Sequence, residues 1–452
     1  MVTQMAATPA NPAHPANPVN PEHGRIGVGV LGYGNVGSAL VALLAEQQTA
    51  IAKRTGMNLE VSRVGVRSLS RQRELALDAQ MFTTDALSVV NDPATDVVVE
   101  LIGGVQPARE LVLAALRQGK PVVTANKELL ANHGAELYET ADASGVDLLF
   151  EAAVGGGIPL VRSLRESLAA EPVSRVMGIV NGTTNYILSQ MTEHGATYSD
   201  ALADAQALGF AERDPTADVE GFDAAAKAAV VATVAFGAQV PADSVYREGI
   251  CRVTDEDIAQ AKRLGYVVKL LAIAERVGYV NEKLGLAVRV HPAMVPVHHP
   301  LALVRDSFNA VFVEGDAVGE LMLYGRGAGG RPTASAVLGD LVDAASNLCQ
   351  NTCTPIGSLE DVTVCSINDL ESEYYINMEV IDEPGVLAAV AGVFGQHGVS
   401  IRSMEQEGLG DQARIVFITH TATERDVQAT LGDLRELDSV RGTPGLLRVI
   451  GG

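Results

Sequence analysis

The stretch RIGVGVLGYGNVG, residues 25–37, decides the fold, because a short apolar run leads directly into closely spaced glycines. RIGVGVL predicts a buried β-strand, and a helical pattern begins at Val36. The glycines between them have G-x-G-x-x-G spacing, which permits a tight turn, close approach of a pyrophosphate and close packing of helix on strand. The sequence therefore predicts a dinucleotide-binding turn at the N-terminus of a helix. We expect cofactor contacts from Gly32, Tyr33, Gly34, Asn35, Val36 and Gly37.

Further strand-like runs, separated for the most part by helical patterns, continue to about residue 150. These runs are residues 59–66, 95–102, 120–124 and 146–150. Apolar strands that alternate with helices favour a parallel sheet covered on both faces. We therefore predict an α/β fold in which residues 25–150 form a Rossmann dinucleotide-binding domain.

The second predicted strand bears on which dinucleotide is bound. Domains of this type that bind NAD carry an Asp or Glu at the C-terminal end of that strand, where it contacts the ribose 2′-OH. Glu60 lies at the start of the strand, whereas Arg67 follows its end, ahead of Arg71 and Arg73. A guanidinium pairs well with a 2′-phosphate. The pattern therefore favours NADP with Arg67 as first contact, and NAD binding beside a merely solvated basic turn is the alternative.

Five other regions differ from this domain in composition and pattern. Residues 151–326 mix helical stretches with closely spaced strand-like runs, which is typical of an α+β domain. A Gly-rich loop then leads into a helix, and we expect this segment, residues 327–350, to return to the nucleotide domain. Residues 351–372 have the composition of a linker, and residues 373–452 have the βαββαβ order of a ferredoxin-like domain. Residues 1–24, rich in Pro, Asn and Ala, predict a disordered tail.

Charge and composition exclude several classes of function. The 452 residues carry a formal net charge of −22, so the chain would be repelled by phosphate backbones and anionic lipids. We therefore expect no nucleic-acid partner and no membrane association. The N-terminus lacks the pattern of a signal peptide, and no apolar run reaches the length of a membrane span. Four cysteines in so long a chain do not predict a disulfide framework, and a reducing cytoplasm fits this usage.

Polar residues follow one of the predicted parallel strands at its C-terminal end. Thr124, Asn126 and Lys127 come together there, in VVTANKELL. Ligands bind at this end of the strands in open parallel sheets. The pattern therefore favours a polar binding site, and a solvated loop lysine is the alternative.

Longer motifs carry a resemblance to a known family. In chain order they are VVVELIGG, VVTANK, FEAAVGGGIPL, GIVNGTTNYIL, LGFAERDPTADVEGFDAAAKA and GRGAGGRPTASAVLGDL. From about residue 25 to its end the chain closely resembles homoserine dehydrogenase with a C-terminal ACT regulatory domain. Because no kinase-like segment precedes the Rossmann part, the resemblance is to the monofunctional form. It implies reversible reduction of L-aspartate 4-semialdehyde to L-homoserine with NAD(P)H, in the biosynthesis of threonine, methionine and isoleucine.

The resemblance assigns roles in the acidic segment that follows LGF. Glu212 is implied to hold the substrate's amino group together with the nearby Asp218, Asp223 to lie close to the reacting oxygen, and Lys227 to donate the proton. Asp223 and Lys227 are spaced i, i+4, so they share one face of a helix. Lys127 is expected to face Lys227 across a cleft, and mutual repulsion should lower at least one lysine pKa. Which lysine donates the proton stays open.

Two further binding roles follow from the same resemblance. Gly209 and Gly327 are implied backbone contacts to the cofactor, in addition to Thr124 and Lys127. A Gly-rich loop can turn carbonyls toward a hard cation, and the resemblance implies a site for Na⁺ or K⁺. The implied ligands of that cation are Glu151, Val154, Gly156 and Ile158. The alternative is that this loop is only a tight turn between domains.

The C-terminal region suggests regulation and assembly. DEPGVL, residues 382–387, resembles the ligand loop of ACT domains, and the family context implies L-threonine as an inhibitor. A module used only for dimerisation is the alternative. We expect a homodimer formed through the middle domain, and tetramers formed through the ACT units are also open.

Two rival functions are weighed against this interpretation. An aldehyde-oxidising dehydrogenase, such as aspartate-semialdehyde dehydrogenase, needs a cysteine nucleophile, and no cysteine precedes Cys251. A non-catalytic regulator that senses a dinucleotide would bind cofactor without turnover, and the combination of lysines and acids argues against it.

Overall fold

A computed structural model describes residues 24–70, 77–280, 282–408 and 410–451. All of the predicted tail except Gly24 lies outside these described residues, as do Arg71 and Arg73 of the predicted basic turn. No helix within the described ranges combines the length and the apolar character that crossing a membrane requires.

The N-terminal part of the described chain contains a parallel sheet of six strands. These are β1 (Arg25–Leu31), β2 (Asn58–Gly65), β3 (Phe82–Thr83), β4 (Val97–Glu100), β5 (Val122–Thr124) and β6 (Leu148–Leu149). Their order is β3-β2-β1-β4-β5-β6. Because the order reverses between β1 and β4, the crevice at the carboxyl ends of these two strands is the expected ligand site. The predicted α/β class and Rossmann domain are therefore confirmed.

Thirteen α-helices are present in the described residues. They are α1 (Asn35–Thr55), α2 (Ala86–Val90), α3 (Ala108–Arg117), α4 (Lys127–Ser144), α5 (Leu160–Arg162), α6 (Gly182–His194), α7 (Tyr198–Ala207), α8 (Thr216–Val219), α9 (Phe222–Phe236), α10 (Asp255–Arg263), α11 (Gly330–Gln350), α12 (Val386–Gln396) and α13 (Glu424–Arg435).

Helices cover both faces of the parallel sheet, as its continuous apolar strands require. Val97 and Val99 of β4 share one core with residues of α1 and α11. Val98 points to the other face and packs in a second core with α3 and α4. Alternate residues of a strand face opposite sides, so one short strand contributes to both cores. The helix α11 thus lies on the nucleotide-binding sheet although it follows the middle region in the chain.

The rest of the described chain builds a second, mixed sheet of twelve strands. These are β7 (Val173–Ile179), β8 (Tyr246–Arg247), β9 (Tyr266–Val280), β10 (Lys283–Pro296), β11 (Phe308–Gly315), β12 (Gly319–Arg326), β13 (Thr363–Val364), β14 (Glu371–Ile381), β15 (Ile401–Gly408), β16 (Gln412–Thr419), β17 (Ala422–Thr423) and β18 (Val440–Val449). The main path is β12-β11-β7-β9-β10-β18-β14-β16-β15, with β8 and β13 beside β10 and β17 beside β14. The helix α9 packs in the same core as β9 and β10.

The C-terminal region has the predicted βαββαβ order, in which β14, β15, β16 and β18 form the sheet and α12 and α13 pack on it. It has its own core, but its sheet is not separate. The strand β18 pairs in parallel with β10, placing Arg448 opposite Ala293. The predicted linker 351–372 also differs from expectation, because β13 within it pairs with β10 at Thr363. The C-terminal domain is therefore joined to the middle region by backbone hydrogen bonds.

Candidate active site

The glycines of the nucleotide-binding turn are needed for different reasons. Gly32 has φ +108°, and a Cβ there would lie 2.6 Å from the Leu101 carbonyl oxygen. A Cβ on Gly37 would lie 2.2 Å from the Gly32 carbonyl oxygen, so the helix could not pack so closely. At Gly34 a Cβ would meet nothing within 4 Å. Gly34 therefore borders open space just before α1 begins at Asn35, where a pyrophosphate can approach.

The two ends of β2 differ in charge. Glu60 at its start is paired with Arg25, with Nε and Oε2 2.8 Å apart, and so lies away from the carboxyl edge. Arg67 follows the other end and is exposed. Tyr33 of the glycine turn packs edge-on against Phe82, with ring centroids 5.1 Å apart. A ribose bound at this edge would thus be near Arg67 and far from Glu60.

A buried acid, Glu100, ends β4 beside this crevice and was not predicted. Its Oε1 accepts hydrogen bonds from the backbone N–H groups of Ile102, at 2.7 Å, and Gly103, at 3.1 Å. Its Oε2 accepts from the Thr124 hydroxyl at 2.6 Å. Both Glu100 and Thr124 are fully buried. The hydroxyl of Thr124, a predicted cofactor contact, is therefore engaged in holding the loop after β4. An acid that ends the apolar run VVVE was the available signal.

Two lysines from different domains share one carboxylate. Lys127, the first residue of α4, places Nζ 3.2 Å from Asp223 Oδ1. Lys227 places Nζ 2.8 Å from Asp223 Oδ2, one turn along α9, and also donates to the Val180 carbonyl at 2.7 Å. The Asp223 and Lys227 side chains are each 12% exposed, whereas Lys127 is 34% exposed. The predicted pair of ammonium groups thus converges on Asp223, with one of them open to the crevice.

The shared carboxylate determines the protonation of the cluster. Burial alone would raise the pKa of Asp223, but the charges of Lys227 and Lys127 lower it to about 2. Burial alone would lower the pKa of Lys127, but the Asp223 charge and hydrogen bond raise it above its ordinary value. The predicted lowering of at least one lysine pKa by lysine–lysine repulsion does not apply to Lys127, because the carboxylate lies between the two cations.

Asn181 connects the acids of the site and was not singled out from the sequence. Its Nδ2 donates to Asp218 Oδ1 at 2.7 Å and to Asp223 Oδ2 at 2.9 Å. Its Oδ1 accepts from the Thr184 N–H, so Asn181 also caps the N-terminus of α6. Burial raises the pKa of Asp218. The Asn-Gly-Thr-Thr run after β7 was a capping signal that could have identified Asn181.

Two other predicted residues lie on exposed parts of the loop between α7 and α8. Gly209 has φ +76° and lies two residues after the end of α7, and a Cβ there would meet nothing within 4 Å. Glu212 is exposed, and its backbone carbonyl accepts a hydrogen bond from Gln206 Nε2 at 3.0 Å. Within the described ranges no hydrogen bond links the Glu212 carboxylate to Asp223. The structure therefore brings Asp218, Asp223 and both lysines together, but not Glu212.

The predicted cation loop lies against the loop before α11. Glu151 is buried, and its carboxylate accepts from the N–H groups of Val161 and Arg162, both at 2.8 Å. Its own N–H donates to Asp340 of α11 at 2.7 Å. Burial raises the pKa of Glu151 and raises that of Asp340 to about 7. Arg162 is the cation that pairs with Asp340, at 3.0 Å.

The other predicted cation ligands shape the same junction. A Cβ on Gly156 would lie 2.4 Å from the Gly327 carbonyl oxygen, so the two glycine loops are in close contact. The Ile158 carbonyl accepts from the Leu160 N–H at 2.8 Å, and Val154 is fully buried. Among the described residues, no group of three or more His, Cys, Asp or Glu side chains is arranged to hold a metal ion. Any cation here would therefore depend on backbone carbonyls beside Glu151.

The fold and the site together define the class of protein. A dinucleotide-binding turn at the carboxyl edge of a Rossmann sheet lies in the domain that supplies Lys127, and the middle domain supplies Asp223 and Lys227. Ammonium groups aimed at one point can stabilise the charge on an oxygen that gains or loses a hydride on its carbon. This is an NAD(P)-dependent oxidoreductase that acts on a CH–OH group.

Comparisons with known proteins give the family. The sequence model described as homoserine dehydrogenase matches residues 159–342, that of the homoserine dehydrogenase NAD binding domain matches residues 32–151, and that of the ACT domain matches residues 374–439. A homoserine dehydrogenase of Mycobacterium tuberculosis is 49% identical over 433 residues, 94% of this chain and 98% of that protein. The homoserine dehydrogenase of Corynebacterium glutamicum is 46% identical over 94% of this chain and 95% of its own length.

Solved structures agree with these matches. The crystal structure of a homoserine dehydrogenase from Thiobacillus denitrificans has a TM-score of 0.88 at 41% identity, over 94% of this chain and 98% of that chain. A hyperthermophilic archaeal homoserine dehydrogenase in complex with NADPH has a TM-score of 0.60 at 29% identity, over 71% of this chain and 97% of its own. The chain belongs to the homoserine dehydrogenase family and carries an ACT domain at its C-terminal end.

The rival functions do not fit these findings. Burial raises the pKa of the Cys251 thiol, which disfavours the thiolate that an aldehyde-oxidising mechanism needs. The thiol also contacts the Val219 carbonyl, at 3.8 Å. A non-catalytic regulator is not favoured, because the relatives that match over nearly the whole chain are dehydrogenases.

Proposed function

We propose that the chain catalyses reversible, NADP(H)-dependent reduction of L-aspartate 4-semialdehyde to L-homoserine, in the biosynthesis of threonine, methionine and isoleucine. The observation that supports this most strongly is the Asp223 carboxylate held between Lys127 and Lys227, at 3.2 and 2.8 Å. A bound nicotinamide supplies the hydride. The substrate oxygen would enter beside the half-exposed Lys127, where both ammonium groups stabilise the developing negative charge.

The protein's own residues can then move the proton and hold the substrate. One of the two lysines donates a proton to the oxygen as the alcohol forms and recovers it from water. Asp223 keeps both ammonium groups oriented, and its low pKa keeps it charged throughout. Asp218 is near enough to receive the amino group of a zwitterionic substrate, and Glu212 would join it if its exposed loop closes over the ligand.

A direct assay tests the reaction. Purified protein is mixed with L-homoserine and either NADP⁺ or NAD⁺, and the near-ultraviolet absorbance of the reduced nicotinamide is followed. Growth of this absorbance that requires homoserine is the expected result. Absence of turnover with both cofactors, under conditions where a cofactor binds, would overturn the proposal.

The preference for NADP rests on Arg67, which is exposed at the carboxyl end of β2. Substituting Arg67→Ala should raise KM for NADPH about tenfold while KM for NADH changes little, because only NADPH has a 2′-phosphate. Equal effects on both cofactors would assign Arg67 to another role. Arg25, at the opposite end of the sheet, gives a matched control as Arg25→Ala.

A monovalent cation beside Glu151 is supported by two buried acids in contact, whose charged forms burial disfavours. Glu151 and Asp340 lie together with Arg162 as their paired cation. A Na⁺ or K⁺ ion held by the Glu151 carboxylate and the carbonyls of Val154 and Gly156 would offset this charge and fix the loop against Gly327. The thermal midpoint should then rise with Na⁺ or K⁺ but not with tetramethylammonium, and Glu151→Gln should abolish the difference. Equal midpoints in all three salts would argue against the ion.

Regulation by L-threonine through the ACT domain is supported by its loop. Gly385 precedes α12 with φ +96°, and a Cβ there would meet nothing within 4 Å, so the loop borders open space. Threonine should inhibit the full chain, and Asp382→Ala in the loop should weaken that inhibition. Because β18 pairs with β10, deleting the domain would damage the middle sheet, so a point substitution is the cleaner test. Undiminished inhibition in the variant would exclude this loop.

A homodimer is supported by the free edge of the second sheet. The edge strand β12 exposes Leu321, Met322 and Tyr324, which would be buried by a second copy. Sedimentation should give a dimer that Met322→Glu weakens, and a tetramer would point to the ACT units as a further interface. The cytoplasmic location remains a prediction of the composition.

A further inference from the structure

A second charge cluster lies where the C-terminal domain joins the middle region. Arg448 of β18 has a side chain only 2% exposed. It donates to both carboxylate oxygens of Glu424, at 2.8 and 2.7 Å, within its own domain. It also donates to Glu248 Oε2 at 2.8 Å and to the Tyr246 hydroxyl at 3.2 Å, in the middle region. One guanidinium therefore connects the two domains.

Arg448 contacts the segment 246–250. This segment packs against the turn that precedes α9, the helix of Asp223 and Lys227. The Ile250 N–H donates to the Val219 carbonyl at 2.8 Å. A Cβ on Gly249 would lie 2.1 Å from the same carbonyl oxygen, so the segment and the turn are in close contact. Val219 ends α8, three residues before α9 begins.

Arg247 in this segment reaches α9 itself. Its guanidinium lies 3.4 Å from the centroid of the Phe222 ring, and Phe222 directly precedes Asp223. Phe222 is 47% exposed, and a cation–π contact at an exposed site contributes only modestly to stability. The side chain of Arg247 also covers Gly221, where a Cβ would lie 3.2 Å from Arg247 Cγ. Residues 246–250 therefore pack against one side of the backbone that leads into Asp223.

We propose, on the basis of the proposed function, that Arg448 is a positioning residue for the reaction: by holding Glu248 it fixes residues 246–250, which in turn fix Phe222 and the placement of Asp223 between its two lysines. Arg448 does not contact the reacting atoms. Its effect arises because a small displacement of Asp223 misaligns both ammonium groups at once, and misplacements of about 1 Å can cost about 10²-fold in rate.

The matched pair Glu248→Gln and Glu424→Gln separates this role from a structural one. Both substitutions remove one carboxylate charge from Arg448 and preserve shape. Glu248→Gln removes the ion pair between Arg448 and the middle region, whereas Glu424→Gln removes the ion pair inside the C-terminal domain. The readout is the single-turnover rate constant for nicotinamide reduction, measured by rapid mixing of enzyme saturated with oxidised cofactor against L-homoserine. Partial unfolding lowers the amplitude of this signal but leaves its rate constant unchanged.

We expect Glu248→Gln to lower the rate constant about tenfold or more at nearly unchanged amplitude, while KM for the cofactor stays the same. Glu424→Gln should lower the thermal midpoint more and the rate constant less. A rate constant unaffected by Glu248→Gln overturns the proposal, and so does an equal reduction in both variants. If Glu424→Gln fails to fold, the rate constant of Glu248→Gln alone decides.

Discussion

The molecule contains two charge clusters of opposite design. Around Asp223 one acid is shared by two lysines from two domains, and around Arg448 one base is shared by two acids from two domains. The difference lies in exposure. Lys127 is 34% exposed at the crevice, whereas Arg448 and Glu424 are almost fully buried.

This difference distinguishes a cluster that can take part in the reaction from one that only fixes the geometry around it. A buried ion group with all its partners satisfied gives a fixed geometry and leaves no group for a ligand. The Asp223 cluster keeps an ammonium open to the crevice, so a substrate oxygen can enter it. The comparison predicts that substitutions at the open cluster reduce the rate of chemistry, and those in closed clusters act through position or stability.

The strongest test removes one of the two ammonium groups of the Asp223 cluster. Lys227→Ala should lower kcat by about 10²- to 10⁴-fold, because general acid–base catalysis and charge stabilisation are both lost. Cofactor affinity, measured by fluorescence of bound NADPH, should remain. Lys120→Ala provides a control, since Lys120 is a half-buried lysine that donates to carbonyls of Val90 and Asp92 away from the site. Near-normal turnover in Lys227→Ala would remove this lysine from the mechanism.

The second test removes the acid between the lysines. Asp223→Asn should lower kcat by about 10²-fold, because both ammonium groups lose their shared partner. The Lys127 pKa should fall, so the rising limb of the pH profile for homoserine oxidation should move to lower pH. A limb that stays in place would mean that Lys127 does not titrate in turnover.

The same variant changes acid stability in a defined direction. The pKa of Asp223 is about 2 in the folded protein and about 3.9 in an unfolded chain. Its charged form therefore stabilises the fold above about pH 4, and this contribution is lost as the pH falls toward 2. Unfolding measurements in this interval should show a shallower pH dependence for Asp223→Asn than for the parent.

A smaller effect on kcat is expected from Asn181, which supports the acids of the Asp223 cluster by hydrogen bonds. Asn181→Ala should lower kcat about tenfold, because Asp218 and Asp223 lose the amide between them, and should cost about 1 kcal/mol of stability through the lost helix cap. Thr197→Ala, which removes the cap of α7 without touching an acid of the site, should cost similar stability and leave kcat unchanged. Equal kcat in both variants would mean that Asn181 acts only as the N-cap of α6.

The smallest effect is expected at the buried pair of acids Glu151 and Asp340. The Asp340 pKa is about 7, so the folded state keeps a proton that the unfolded chain releases near pH 4. Stability should therefore fall as the pH rises from about 4 to 7 in buffers free of Na⁺ and K⁺. Asp340→Asn should flatten this dependence, as followed by denaturant unfolding. An unchanged slope would assign the dependence to other groups.

Local pattern was enough for much of the fold. The alternation of apolar strands and helices, and the spacing of Gly32, Gly34 and Gly37, predicted the Rossmann domain because these features depend on neighbours in the chain. The order of elements after residue 373 predicted the ferredoxin-like C-terminal domain for the same reason. The strand β9 is harder to recognise from local pattern, because it carries Lys269 and Glu275 within its apolar run. Both charged groups have partners within the protein: Lys269 donates a hydrogen bond to Asn185, and Glu275 forms an ion pair with Arg289.

What the sequence determined by itself was the class of fold, the family and the residue types of the site, since these are encoded in short periodic or contiguous motifs. The tertiary structure alone decided that Asp223 lies between the two lysines, so that the pKa of Lys127 is raised rather than lowered. It also decided that Glu100 and Asn181 support the site and that Arg448 connects the C-terminal domain to the catalytic turn. The physical reason is that distances between charges far apart in the chain, and the burial that sets their strength, exist only after folding.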